Sequence, residues 1–182
     1  MTQLIPALAL AALAAAQAQA PVNPRAAALD EFAKRCQAYL ELRQSLAKKL
    51  EPLSPTSSAS DLTARQQALA AAIRSARAGA KPGDLVPAAV QEQIRATVKK
   101  DMQRRTPAAK RATLEEVPGG PPPGINKTYP EQAALPTVPA LLLASLPPLP
   151  DNLQYRFFGR HIVILDGDVE IVVDYDRDAV PR

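Results

Sequence analysis

Residues 154–175, QYRFFGRHIVILDGDVEIVVDY, hold three short runs rich in β-branched and aromatic side chains. Gly159-Arg160 and Asp166-Gly167 place turn chemistry between them. The runs 154–158, 161–165 and 169–175 therefore predict a small antiparallel meander. Strict alternation over the third run puts Val169, Ile171, Val173 and Tyr175 on one face, with Glu170, Val172 and Asp174 on the other. One covered face is expected, and this is the best-specified core in the chain.

Upstream, the composition changes. Residues 118–150 hold ten prolines, predicting a connector, within which Pro147-Pro148-Leu149-Pro150 is stiff and extended. Within it, 125–129 reads as a short strand. Thr137 reads as the cap of a short helix that has Pro139 in its first turn and Leu141, Leu142, Leu143 and Leu146 to bury. Residues 19–117 are Ala-rich and carry helical spacing in about three segments. Asn23-Pro24 opens the first, whose stripe is Leu29, Phe32, Cys36, Leu40, Ala47 and Leu50. Lys48 and Lys49 fall in its last turn and Pro52 stops it. Asp61 is the expected cap of the second, with Leu62, Leu69, Ile73 and Ala76 inward and its end at Gly79. Asp84 is the expected cap of the third, whose stripe Val86, Val90, Ile94, Val98 and Met102 ends at Thr106-Pro107. Such helices offer few large apolar side chains, so modest packing is expected of them. The fold class is α+β: N-terminal helices, a proline-rich connector (118–150) and a C-terminal β-meander (151–182).

The order Tyr129-Pro130-Glu131, Thr137-Val138-Pro139, Leu146-Pro147-Pro148-Leu149-Pro150, Leu153, Tyr155-Arg156-Phe157, Gly159-Arg160 and Ile171-Val172-Val173-Asp174 resembles the terminal part of a family of exported bacterial proteins of unknown function. Gly83-Asp84-Leu85-Val86-Pro87 and Ala72-Ile73-Arg74 are similar to its upstream part. That resemblance implies export and supplies no activity. The Tyr-Arg-Phe meander is also similar to the β-module of small periplasmic metal-homeostasis proteins, which implies a metal-binding module as an alternative.

Export is also expected from the residues themselves. Residues 4–16 are an almost unbroken apolar run of 13, too short to span a bilayer and followed by small residues as at a cleavage site. Pro21 disfavours cutting after Ala20, so cleavage after Ala18 is preferred and 1–18 is read as a signal peptide. The mature chain has no further apolar run near the length of a membrane span, so a periplasmic or extracellular location follows. There the lone Cys36, on an apolar helical stripe, reads as a small buried side chain, with a disulfide-linked dimer as the alternative.

Catalytic signals are sparse. One Cys and one His, His161, leave no Cys/His zinc cluster; no nucleophile elbow or phosphate-cradling glycine loop is present, so no catalytic residue and no cofactor are expected, an unrecognised enzyme being the remaining alternative. Asp166, Asp168 and Glu170 alternate as weak oxygen ligands for a cation, but the glycine and distal glutamate of an EF-hand are missing. Asn126-Lys127-Thr128 is a glycosylation sequon, relevant only in a eukaryotic secretory host.

Charge is the stronger signal. Residues 19–114 carry +9 and 115–182 carry −5, within a chain of net charge +4. Arg95, Lys99, Lys100, Arg104, Arg105, Lys110 and Arg111 place seven cations in 17 residues against a single Asp101. They read either as a solvated helix face or as a surface for an anionic envelope polymer, lipid head groups or an acidic protein. Nucleic acid is disfavoured by export and by the lack of interleaved aromatics. The acidic residues Asp174, Asp176 and Asp178 can compete by covering the basic face within the molecule. The expected role is non-enzymatic binding or structural work in the envelope. The processing expectation has a direct check: N-terminal sequencing of the exported protein should begin at Gln19, and a retained Met1 would refute export by this route.

Overall fold

The computed structural model describes residues 23–115, 117, 120–121, 123–130 and 138–181, the side chain of Leu114 excepted. The expected signal peptide and the Thr137 cap lie outside them. The described chain is α+β, with helices α1 (Pro24–Ala47), α2 (Ala59–Ala76), α3 (Ala88–Arg104), α4 (Pro107–Glu115) and α5 (Ala140–Leu143) preceding strands β1 (Leu153–Phe158), β2 (His161–Asp166) and β3 (Ile171–Asp176). The strands form an antiparallel sheet in the order β1-β2-β3, the expected meander.

Local chemistry sets the helix ends. Asn23 accepts from the Arg25 amide at 3.0 Å, and Pro24 takes a first-turn position whose amide has no helical partner. α1 stops at Ala47, so Lys48 and Lys49 lie just beyond its last turn. The open end is met from α2, where Arg65 donates to the carbonyls of Ala47, at 3.0 Å, and Glu51. Ser58, not Asp61, caps α2. Its hydroxyl accepts from the Asp61 amide while the Asp61 carboxylate accepts from the Ser58 amide at 2.8 Å, a reciprocal capping box. Asp84 does not cap α3, which starts after Pro87; its carboxylate instead accepts from the Lys81 amide in the preceding turn. Thr106-Pro107 ends α3 and also begins an unanticipated α4, because the Thr106 hydroxyl accepts from the Ala109 amide at 3.2 Å.

One apolar core joins the helices to one sheet face. Phe32 and Cys36 from α1, Leu69 and Ile73 from α2 and Val90, Ile94, Val98 and Met102 from α3 pack with Tyr155, Phe157, Ile162, Ile164, Ile171 and Val173. The α3 stripe is buried as expected. α2 is narrower than expected: Leu62 is half exposed and Ala76 exposed. On α1, Tyr39 rather than Leu40 is fully buried, because its hydroxyl has a partner on the sheet.

The strict alternation expected for β3 breaks at a bulge. Ile164 pairs with Asp174 and Leu165 with Val172, so Val173 is the extra residue. Val173 joins the helix-side core while Asp174 accepts from helix-side amides; the phase then reverses, placing Tyr175 with Val172 on the opposite face. That second face is also buried, by Tyr129, Phe158, Val163 and Leu165. Tyr129 meets Phe158 edge to face at 5.9 Å and donates its hydroxyl to the Phe157 carbonyl.

Instead of a strand, residues 125–129 form a single bridge, Thr128 to Ile171. The Asn126 amide donates to the Val172 carbonyl, and the Val172 amide to the Lys127 carbonyl. Asn126 has φ 63°, and its buried side-chain amide donates to the Arg77 carbonyl, so the sequon asparagine is consumed inside the fold. Leu142 on α5 and Leu146 just beyond it are buried, but Leu141 is 83% and Leu143 47% exposed, correcting the expectation that all four leucines turn inward.

Carboxylates on the helix-facing side bind the sheet to the helices. Asp174 accepts from the amides of Gly83, Leu85 and Val86 at 2.8–2.9 Å and from that of Tyr175 at 2.8 Å. Asp166 accepts from the Tyr39 hydroxyl at 2.6 Å and Arg43 Nε at 2.9 Å. Burial and the adjacent Asp166 push the Tyr39 phenol upward, so the proton stays available for donation. Asp174→Ala strips acceptors from buried amides at about 1–3 kcal/mol each, so a loss of about 3 kcal/mol or more is expected in urea unfolding. A loss under about 0.5 kcal/mol, the scale of a surface change, would refute this docking role.

Candidate anion-binding surface

The seven clustered cations follow from the placement of α3 and α4. The stripe that buries Val90, Ile94, Val98 and Met102 turns the opposite side of α3 to solvent. At about 100° per residue, Lys99, Lys100, Gln103 and Arg104 then span an exposed arc of roughly 140°. α4 adds exposed Arg111 and half-buried Lys110.

The structure divides the seven. Arg95 is committed to Asp176, whose carboxylate is 2% exposed: Nε donates to the two carboxylate oxygens at 2.9 and 3.0 Å, and Nη2 adds a closer contact. This bonding raises the Arg95 guanidinium and pulls the Asp176 carboxyl down against the larger upward push of burial. Arg105 pairs with Asp101 at 2.6 Å and donates to the Thr113 hydroxyl, bracing α4 against α3. Lys99, Lys100, Arg104, Lys110 and Arg111 make no ion pair with any described residue. Among the described residues, ion pairing from the C-terminal part therefore reaches only Arg95 of the seven; Asp174 is buried under the loop before α3 and Asp178 pairs with Arg160 at 3.4 Å.

Two open grooves flank the exposed arc. One, about 670 Å³, lies between α3, α4 and the C-terminal tail and is lined by Met102, Val180, Pro181, Lys99, Lys110 and Arg111, with Gln103 and Glu115. The other, about 610 Å³, runs between α3 and α5 and includes Lys100, Arg104, Leu141 and Leu142. The grooves and the exposed leucines were missed in the sequence because they depend on how distant segments meet.

The weaker candidates are placed differently. Asp166 and Asp168 converge on Arg43, which donates to both, and Asn152 also donates to Asp168 at 2.8 Å. Glu170 has a left-handed φ of 53° and makes no ion pair with any described residue. Among the described residues no three His, Cys, Asp or Glu side chains are grouped to hold a metal ion. His161 Nδ1 accepts from the Asp178 amide at 3.1 Å, and burial lowers its basicity. Cys36 is 1% exposed with its thiol pushed up to about 12, an inert core side chain; the disulfide-linked dimer has no support from it. No described helix is long and apolar enough to cross a membrane. No protein-family model, curated protein or solved structure matches the chain.

The division of the cluster is testable by stability. Arg95→Gln leaves the buried Asp176 carboxylate without its guanidinium, so a cost of about 1–2 kcal/mol is expected, less than for a fully buried pair because Arg95 is half solvated. Losing Arg95 raises the folded Asp176 pKa further. A raised carboxyl stabilises at low pH and loses that contribution as pH rises through the folded value, so the cost should be larger at pH 7 than at about pH 4. Lys100→Gln should change stability by less than about 0.5 kcal/mol. Equal effects in thermal unfolding would refute the division.

Proposed function

We propose that this protein is an exported, non-enzymatic binding protein of the bacterial cell envelope that attaches to phosphate-bearing anionic material through the α3–α4 surface. The observation that carries this reading is the cluster of Lys99, Lys100, Arg104, Lys110 and Arg111 on one side of the molecule, outside the ion pairs formed among the described residues. Keeping like charges close raises their mutual repulsion, and an anionic partner relieves it. Leu141, exposed and lining the same groove as Lys100 and Arg104, favours a partner with apolar as well as anionic character, such as a lipid surface. The apolar run at 4–16 and the resemblance to exported proteins support the envelope as the setting.

Sedimentation of the mature protein with acidic phospholipid vesicles or lipopolysaccharide tests the reading. Binding is expected at low salt and should collapse as salt rises past about 0.1 M, where the Debye length is about 10 Å. Replacing Lys99, Lys100, Arg104 and Arg111 by Gln should weaken it by about tenfold or more, a loss of at least about 1.4 kcal/mol in binding free energy, while leaving the melting temperature unchanged. Binding that survives the fourfold change, or is absent at low salt, refutes the proposal.

A further inference from the structure

We propose that the groove between α3, α4 and the C-terminal tail binds a single-chain anionic amphiphile, an acyl or alkyl chain ending in a carboxylate or phosphate. This rests on the reading of the α3–α4 surface as anion-binding and assigns one ligand class to one part of it.

The floor and rim of this groove differ in chemistry. Its floor is Met102 and Val180, 3% and 1% exposed, extended by Pro181 at the mouth. Met102 is the last residue of the α3 core stripe, so the apolar interior continues into the groove. An unbranched thioether adapts its shape readily to an apolar guest. Above this floor stand Lys99 from α3 and Lys110 and Arg111 from α4, against one carboxylate among the described residues, Glu115. Glu115 sits one turn after Arg111 and can offset one of the three charges at most. An apolar floor under a net positive rim complements a chain with an anionic end. Arg111 adds a planar fork able to take two oxygens of a carboxylate or phosphate together. At about 670 Å³ the groove falls within the size of small-molecule sites.

The walls are held in place before any ligand arrives. The Val180 amide donates to the Arg160 carbonyl at 3.0 Å, and Arg160 Nε donates to the Val180 carbonyl at 3.0 Å, clamping the tail against the turn between β1 and β2. On the other side, Arg105 joins Asp101 to Thr113 and fixes the angle of α4. Such preorganisation lowers the ordering cost of binding.

Met102 supplies its own probe. It is one of two methionines, the other being Met1, so its methyl resonance is readily assigned in the mature protein. Monomeric dodecyl phosphate and dodecanoate should shift that resonance saturably. Dodecanol should bind about tenfold more weakly, having lost its charge-assisted contacts, and dodecyltrimethylammonium should not bind. The double change Lys110→Gln and Arg111→Gln should weaken dodecyl phosphate by about tenfold or more without altering the unbound spectrum. Equal affinity for the anionic and cationic amphiphiles, or indifference to the double change, overturns the proposal. Lys100→Gln with Arg104→Gln separates the two readings. It should weaken vesicle binding and leave dodecyl phosphate affinity unchanged; an equal loss of both would overturn the assignment to this groove. Vesicle binding without amphiphile binding refutes the groove alone, and amphiphile binding without vesicle binding refutes the envelope attachment alone.

Discussion

Asp174 accepts four backbone N–H groups, three of them from the loop that leads into α3. A three-stranded sheet this small has little stability of its own, and helices poor in large side chains have little either. The carboxylate makes the two interdependent. Desolvation pushes its pKa up and the amides pull it back, so the site is stable only while loop and strand are both in place. Everything else follows from that docking. Leu85 and Val86 are carried into the core, α3 is oriented with Val90, Ile94, Val98 and Met102 inward, and its far side is turned to water with its cations.

The bulge at Val173 makes this geometry possible. Without it, alternation would turn Asp174 away from the helices, since its neighbour Val173 already packs toward them. That is why the meander was legible from its β-rich runs while its facing was not. Period-two patterns locate strands, but an inserted residue leaves no signature in a run such as Ile171-Val172-Val173-Asp174. Helix ends show the same division. The reciprocal bonding of Ser58 and Asp61 lies in plain view as a capping sequence, yet either residue alone is a good cap, and only the geometry decides which one stands first. Thr106-Pro107 repeats the opening chemistry of Asn23-Pro24, and reading it purely as a stop concealed α4.

The candidate site was legible as composition and not as arrangement. Seven cations in one window are visible to any count, but whether each is free depends on a carboxylate that is distant in sequence or one turn away. Arg95 and Lys99 sit on the same stretch of helix and differ only in that Asp176, 81 positions from Arg95, lies under one and not the other. The grooves were still further from view. Val180 meets Met102 only because the tail is clamped by Arg160. Leu141 and Leu143 read as core residues in a leucine run, yet a four-residue helix can bury only one side.

The segment 126–129 lies along the outer edge of β3, where it takes up the Val172 amide and carbonyl and donates its Tyr129 amide to Glu170. A chain folds among many copies of itself, where an open strand edge invites pairing between molecules. This segment covers the start of that edge. It is held there by Arg74, which donates to the Asn126 carbonyl and the Thr128 hydroxyl, and by Arg77, which donates to the Asn126 side chain and the Val173 carbonyl while lying 5.2 Å from the centre of the Tyr39 ring. Two arginines, one in the last turn of α2 and one its C-cap, thus hold that cover in place. Weakening them is expected to uncover part of that edge before the core itself opens, so the hazard is self-association of native-like protein, distinct from unfolding.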